Sequence, residues 1–266
     1  MRTEWTEATR VVVAGDWHGD TLAAGAVVEL AAARGATTLV HVGDLGIGVP
    51  GFVRDLEAVL ASAGSILTTC GGNHDDWSWL APAHRDAHGM RWLAPHLAWA
   101  PRGHRWSIGG RRIGALGGAV SVDAFTRQTD GAQYPDEAPT ADDLEMLGSE
   151  PLDMLLAHDV PAGVPLTSRM PGIPADVAAK AQAVRELLAT AVERTQPRLV
   201  FSGHWHRRLT HRLGSTTVEV LDMEWTTGNA VILDLATWSI EPLVRPPSVT
   251  DNPSWSVGLR RTAEGE

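Results

Sequence analysis

Five short segments carry the side chains that can do chemistry: Gly15-Asp16-Trp17-His18-Gly19, Gly43-Asp44, Gly72-Asn73-His74-Asp75, Ala157-His158-Asp159 and Gly203-His204-Trp205-His206. They supply carboxylates, imidazoles and a carboxamide but no thiolate, a donor set that suits Mn, Fe, Zn or Ni more than Ca or Mg. Residues two apart in an extended chain point the same way, so Asp16 and His18 can grip one ion together, as can His204 and His206. The glycines beside them let the backbone pass close to an ion or turn sharply. Alone, each segment is weak, since Asp and Asn cap helices after strands and a lone histidine such as His158 is more often an ordinary packed residue. Their order along the chain is what raises them above that background.

The elements that must position these residues are legible as alternating short β-branched runs and longer amphipathic ones, the pattern of strands joined by crossover helices. Val11 to Ala14 reads as a strand ending at Gly15 and Asp16. Asp20 caps a helix reaching to about Arg34, with Leu22, Ala26, Val27 and Leu30 on one face and Gly35 as its stop. Thr37 to Val42 is a second strand, and Ser65 to Cys70 a third. The helix between them, Phe52 to Ala63, sets Phe52, Leu56, Val59 and Leu60 at helical spacing. Arg105 to Ile108 and Arg111 to Leu116 form a hairpin across Gly109 and Gly110. Thr140 and Asp143 open a short acidic helix, and Ala175 to Thr195 is a long one with Val177, Ala181, Val184, Leu188 and Val192 on its stripe. Met154 to Ala157, Leu199 to Ser202, Thr216 to Leu221 and Ala230 to Leu235 are the remaining strands. Because ligands of open α/β sheets bind beyond the carboxyl ends of strands, the polar residues at successive strand exits are expected to meet.

The ordered set of DxH, GD, GNH followed by Asp, a lone His, and GHxH resembles the signature of the calcineurin-like metallophosphoesterases, and it spans Asp16 to His206. The resemblance implies a four-layer αββα sandwich of two mixed sheets flanked by helices. It also implies two divalent ions, with Mn first and Fe, Zn or Ni as alternatives. Asp16, His18 and His206 would bind one ion, Asn73, His158 and His204 the other, and Asp44 would bridge them. His74 would sit beside the substrate phosphate as a catalytic residue, with Asp75 holding its imidazole. The implied reaction is metal-dependent hydrolysis of phosphoesters by a hydroxide that the metal pair activates.

Departures from the family's branches narrow the substrate. Relatives of the Ser/Thr protein phosphatases follow GD with a bulky residue, Val-Asp-Arg and Gly, and end the third motif in Glu with an arginine close behind. Here Asp44 is followed by Leu45-Gly46-Ile47-Gly48 and Asp75 by Asp76-Trp77, so phosphoprotein is disfavoured. A phosphodiesterase or small-molecule phosphatase is expected, ahead of a nuclease or protein phosphatase. A nuclease is favoured if Arg102, Arg105, Arg111 and Arg112 line a basic groove. A non-catalytic scaffold ranks last, since such relatives lose metal ligands and all seven stand here. The loop from Gly117 to Thr140 resembles one found in many bacterial and phage members, and its Arg127 is a candidate contact to the substrate phosphate. Trp17 and Trp205, between paired ligands, are expected to pack beneath the site.

The 266 residues are 44% hydrophobic, enough for one large domain, taken as residues 1–245 with 246–266 a loosely attached, proline-rich tail. A net charge of −10 gives no positive field for extended duplex nucleic acid, while a metal pair would still attract a small anionic substrate. Cys70 is the single cysteine, so no internal disulfide or thiolate cage is available, which fits a reducing compartment. The polar N-terminus has no signal-peptide core, and no apolar run approaches the roughly 20 residues of a membrane helix. The cytoplasm and no membrane association are therefore expected.

Overall fold

The computed structural model describes residues 3–122, 136–166 and 172–244. Arg127, most of the Gly117 to Thr140 loop and the tail at 246–266 lie outside them. Helices α1 (Thr3–Thr6), α2 (Thr21–Ala33), α3 (Phe52–Ser62), α4 (Ala141–Leu147) and α5 (Ala175–Thr195) accompany fourteen strands. The strands of the N-terminal half are β1 (Arg10–Ala14), β2 (Thr38–His41), β3 (Ile66–Thr69), β4 (His84–Arg85), β5 (Arg91–Ala94), β6 (Leu97–Trp99), β7 (Arg105–Ile108) and β8 (Arg111–Leu116). Those that follow are β9 (Met154–Ala157), β10 (Leu199–Ser202), β11 (Leu209–Leu213), β12 (Thr216–Val220), β13 (Ala230–Asp234) and β14 (Ile240–Pro242).

One sheet runs β14-β13-β1-β2-β3-β6-β5-β4 and the other β11-β12-β10-β9-β8-β7. β1, β2, β3 and β6 are parallel neighbours, as are β8, β9, β10 and β12, and antiparallel strands complete both sheets. Side-chain alternation along β1 shows how the layers assemble. Val11 and Val13 face a core that also holds Ile113, Met154, Leu156 and Phe201 from the second sheet. Val12 and Ala14 face the opposite way, onto Ala24 and Val28 of α2 and Leu56 and Leu60 of α3. The outer face of the second sheet, with Leu155, Val200 and Val218, is covered by Leu144 and Leu147 of α4 and Val184 and Leu188 of α5. Helices on the outside of two packed mixed sheets make the αββα sandwich, and each fully buried aliphatic side chain contributes roughly 1.5–3 kcal/mol to holding it together.

Local chemistry sets the element ends. The Asp20 carboxylate accepts the N–H groups of Leu22 and Ala23, each at 3.0 Å, which starts α2 where free amides would otherwise be orphaned. Thr140 and Asp143 cap α4 reciprocally, the hydroxyl meeting the Asp143 amide and the carboxylate the Thr140 amide. Gly109 and Gly110, at φ of 54° and 73°, make the two-residue turn between β7 and β8.

Two expectations need correction. The face of α2 that packs is Ala23, Ala24, Val28 and Ala31, and Leu22 is 76% exposed. That helix is apolar nearly all round, so periodicity alone does not choose its inner side. The stretch from His84 to Trp99, where the sequence reading places no element, adds β4, β5 and β6 to one edge of the first sheet. Pro95 and the register shift between Trp92 and Ala94 break their alternation, which removes the period-two signal. Among the described residues, no helix is long and apolar enough to cross a membrane.

Candidate metal centre

The carboxyl ends of β1, β2 and β3 bring Asp16, Asp44 and Asn73 to the same end of the sandwich as His158 and His204, which follow β9 and β10. The loops lock together through the backbone. Trp17 and His18 both donate N–H bonds of 2.9 Å to the Asp44 carbonyl, and the His204 amide donates to the Asp16 carboxylate at 3.0 Å. Gly72 is needed where β3 exits, because a Cβ there would lie 2.1 Å from the Asp44 carboxylate.

Asp44 sits at the centre. Its Oδ2 lies 3.2 Å from Nε2 of His158, 3.6 Å from Nε2 of His18 and 3.9 Å from Nε2 of His74, while Oδ1 accepts the His74 amide at 2.8 Å. Donor atoms of Asp16, Asp44 and His206 all lie within 4.8 Å of one another, and so do those of His18, Asp44 and His74. On the other side, Nε2 of His158 is 3.0 Å from Oδ1 of Asn73, and the His158 ring stands edge-on to His204 with centroids 5.2 Å apart. Two donor clusters thus share one carboxylate. Asp16, Asp44, Asn73 and His158 are buried, whereas His18 and His74 are partly open and His206 is exposed, so the centre is approached from the side of those three imidazoles.

Four of these residues depart from the extended geometry expected of them, and Asp44 turns the same way. Asp16, His18, Asp44, His204 and His206 have φ between 45° and 65°, in the left-handed region, and only three other non-glycine residues among those described, Gln196, Trp225 and Trp238, do so. Each such conformation costs on the order of 1–3 kcal/mol and persists where surrounding structure over-determines it, a pattern concentrated at functional sites. The paired side chains converge through tight turns just past the strand ends, and the period-two argument does not describe them.

The contacts behind the donors fix their orientation. Nδ1 of His158 donates to the Val42 carbonyl at 2.9 Å, so Nε2 is the ring atom that faces the centre and offers a lone pair once its proton leaves. Asn73 donates from Nδ2 to the Ser121 hydroxyl at 2.9 Å, and that hydroxyl donates to Glu137 at 2.6 Å, so the carboxamide oxygen is turned inward. Nδ1 of His18 meets Glu224 at 2.9 Å. Asp75, expected to hold the His74 imidazole, serves the backbone instead. Its two oxygens accept N–H bonds from Leu45, Gly46, Ile47 and Gly72 at 2.8–3.2 Å, which uses the roughly four lone-pair sites a carboxylate has. Asp75 therefore holds the loop after Asp44 against the loop of Asn73.

Electrostatics follow from this crowding. Burial opposes a charged His18, yet the Asp44 and Glu224 carboxylates outweigh it and raise its pKa to about 10. Burial likewise opposes a charged His158, and Asp44 with Asp16 lifts it to about 9. For Asp16, burial is the largest influence; with the Asp44 charge added and His158 opposing, its pKa rises to about 7. Burial also pushes on Asp44, but His158 and His18 hold its carboxyl well below the usual range. His204, desolvated and beside His158, falls to about 4 and is neutral.

Trp17 packs beneath the site as expected, fully buried against the His41 ring, with its indole N–H donated to Asn229 at 3.0 Å. Trp205 donates to Asp159 at 2.9 Å but is only partly buried and lines a cavity. The four arginines that a basic groove would need are engaged elsewhere. Arg102 donates to the Gly117 and Asp136 carbonyls, and Arg105 to those of Leu147, Glu150 and Pro151. Arg111 donates to the Leu235 carbonyl, and Arg112 pairs with Asp153. Glu224, Ser121 and Glu137 were not anticipated; Glu224 does share the general signal of an acidic residue just past a strand exit, here that of β12.

Residues 9–208 match the family described as calcineurin-like phosphoesterase. Among solved structures, TT1561 of Thermus thermophilus is 17% identical with a TM-score of 0.59, covering 89% of this chain and 100% of its own. A dimetal phosphatase from Danio rerio is 11% identical with a TM-score of 0.56, covering 90% of this chain and 98% of its own. At those identities the likeness is one of fold. No curated protein matches this chain.

Proposed function

The chain belongs to the calcineurin-like phosphoesterase family and is a phosphoester hydrolase, and from that premise we propose a dinuclear centre acting on small phosphodiesters or phosphomonoesters. The observation that carries this reading is the buried Asp44 carboxylate, which clusters with Asp16 and His206 on one side and with His18 and His74 on the other and lies 3.2 Å from Nε2 of His158; His18 thus clusters with His74, where the family pattern groups it with Asp16 and His206. The donor set fits a pair of divalent ions: hard carboxylate and carboxamide oxygens with borderline imidazoles and no sulfur, suiting Mn first and Fe, Zn or Ni next. Asp16, His18 and His206 would hold one ion, Asn73, His158 and His204 the other, with Asp44 between. When bound, such a pair supplies Lewis-acid polarisation of phosphoryl oxygens and lowers the pKa of a water toward neutrality.

The chain's own residues supply the rest. His74 stands on the open rim with its Nε2 3.9 Å from Asp44 and its amide anchored to the same carboxylate. That placement suits an imidazole that donates to a phosphoryl oxygen or passes a proton to the leaving alkoxide. Asp75 acts through the loops it ties, so it is a positioning residue. A small substrate is supported by the engagement of Arg102, Arg105 and Arg111 with backbone carbonyls and of Arg112 with Asp153. Residues 1–245 as the catalytic unit, Arg127 as a phosphate contact and a cytoplasmic location remain parts of this proposal.

The test is hydrolysis of bis-p-nitrophenyl phosphate and p-nitrophenyl phosphate by metal-stripped protein to which Mn²⁺ is returned. Metal-dependent turnover of either supports the reading, and the ratio of the two assigns the chain to diesters or monoesters. Absence of turnover on both, with ions bound, would remove small phosphoesters of this kind as substrates.

A further inference from the structure

Behind His204 lies a cavity of about 350 Å³ between α5 and the loops of the second sheet. Leu166, Ile173, Ala181 and the Trp205 ring line it, with Gln182 and Arg207 as polar members. Its position is what gives it meaning. His204 forms part of its wall and also stands edge-on to His158, so the cavity and the proposed metal pair meet at one imidazole. Trp205 is fixed there, its N–H tied to Asp159, its ring perpendicular to His204 at 6.1 Å, and the Arg185 guanidinium 5.3 Å from its centroid.

Two cations stand at this cavity, and one of them, Arg207, has capacity to spare. Arg185 uses its terminal nitrogens on the Leu166 and Val164 carbonyls, but its buried Nε has no hydrogen-bond partner among the described residues. Arg207 is half-buried and takes part in no hydrogen bond or ion pair among the described residues, unlike its neighbour Arg208, which is committed to Glu219 and the Val220 carbonyl. A mostly apolar cavity with an indole and a few convergent donors is the usual form of a small-molecule subsite.

We propose that this cavity receives the organic group of the substrate, and that the group is a planar ring of aryl or nucleobase size held against Trp205. The inference rests on the phosphoesterase reading of the adjacent centre and adds the class of ester it selects. The side chains that would choose the ester are then Trp205 and Ala181, neither of which belongs to the donor set.

Binding of non-hydrolysable analogues separates the two claims. Calorimetric titration of Mn²⁺-loaded protein with phenylphosphonate and methylphosphonate is expected to show the phenyl compound roughly tenfold or more tighter, from burial of its ring. Trp205→Ala removes the indole wall, and Ala181→Trp fills the space from α5. In each, the phenyl to methyl ratio is expected to fall to about one. Equal affinities in the unaltered protein, or a preference that survives both substitutions, would overturn the subsite while leaving the centre intact. If neither phosphonate binds, the reading of the centre itself fails and the subsite falls with it.

Discussion

At the centre of the site, protons and metal ions compete for the same atoms. His18 and His158, with pKa values near 10 and 9, carry protons at neutral pH in the metal-free protein, and Asp16 holds one below about 7. Raised pKa values mean that metal binding must expel these protons, so affinity rises with pH. About two protons should be released at pH 8 when the ions bind, and more below pH 7, as measured by calorimetry in buffers of different ionisation enthalpy. Proton release that does not grow as pH falls would contradict the assignment of these groups as donors. The Ser121 hydroxyl, which turns the Asn73 oxygen inward, makes a second prediction. Ser121→Ala should weaken metal binding by roughly 10–100-fold with the fold intact, read from a metal titration. Donors such as Asp16, Asn73 and His204 could be picked out in the sequence because their residue types recur at fixed short spacing after apolar runs. Ser121, Glu137 and Glu224 could not, because each acts through a partner distant in the chain: Ser121 on Asn73, Glu137 on Ser121 and Glu224 on His18. For Asp75 the sequence shows a neighbour in the chain, His74, whereas the carboxylate accepts backbone N–H groups of two loops.

Among the elements, strand ends do the positioning. The runs that became β1, β2, β3, β9 and β10 were readable because they are short, apolar and β-branched or leucine-rich, and each stops at a polar residue or glycine. What the sequence did not carry was the geometry just beyond those ends, where Asp16, His18, Asp44, His204 and His206 turn left-handed. The turns are imposed by bonds between loops, such as the Trp17 and His18 amides on the Asp44 carbonyl. The strands β4 to β6 carry no such pattern for a related reason, since the pairing of β6 to β3, and of β5 and β4 in turn to β6, supplies the order that their own sequence lacks. Close loop packing makes a prediction about Gly72, whose Cβ position is 2.2 Å from the Asp44 amide nitrogen. Gly72→Ala must push the two loops apart and should lower stability by about 1–3 kcal/mol in urea unfolding. It should lower metal affinity as well. Unchanged values for both would mean that the loops are free to separate, contrary to the way Asp75 binds them.

The whole molecule is a frame in which two sheets, each flanked by helices, deliver one half of a site apiece. Asp16, Asp44 and Asn73 come from the first sheet and His158, His204 and His206 from the second, so the centre exists only when the sheets are packed. Ions bridging that seam would bind the folded state alone and stabilise it by mass action. The central claim is that the seam holds two ions through Asp44. Metal-stripped protein titrated with Mn²⁺ should bind two equivalents and recover bis-p-nitrophenyl phosphate hydrolysis as they bind, while Asp44→Ala should lose the pair and lower turnover by about 10³-fold or more. One equivalent bound, or full activity in Asp44→Ala, would contradict the account.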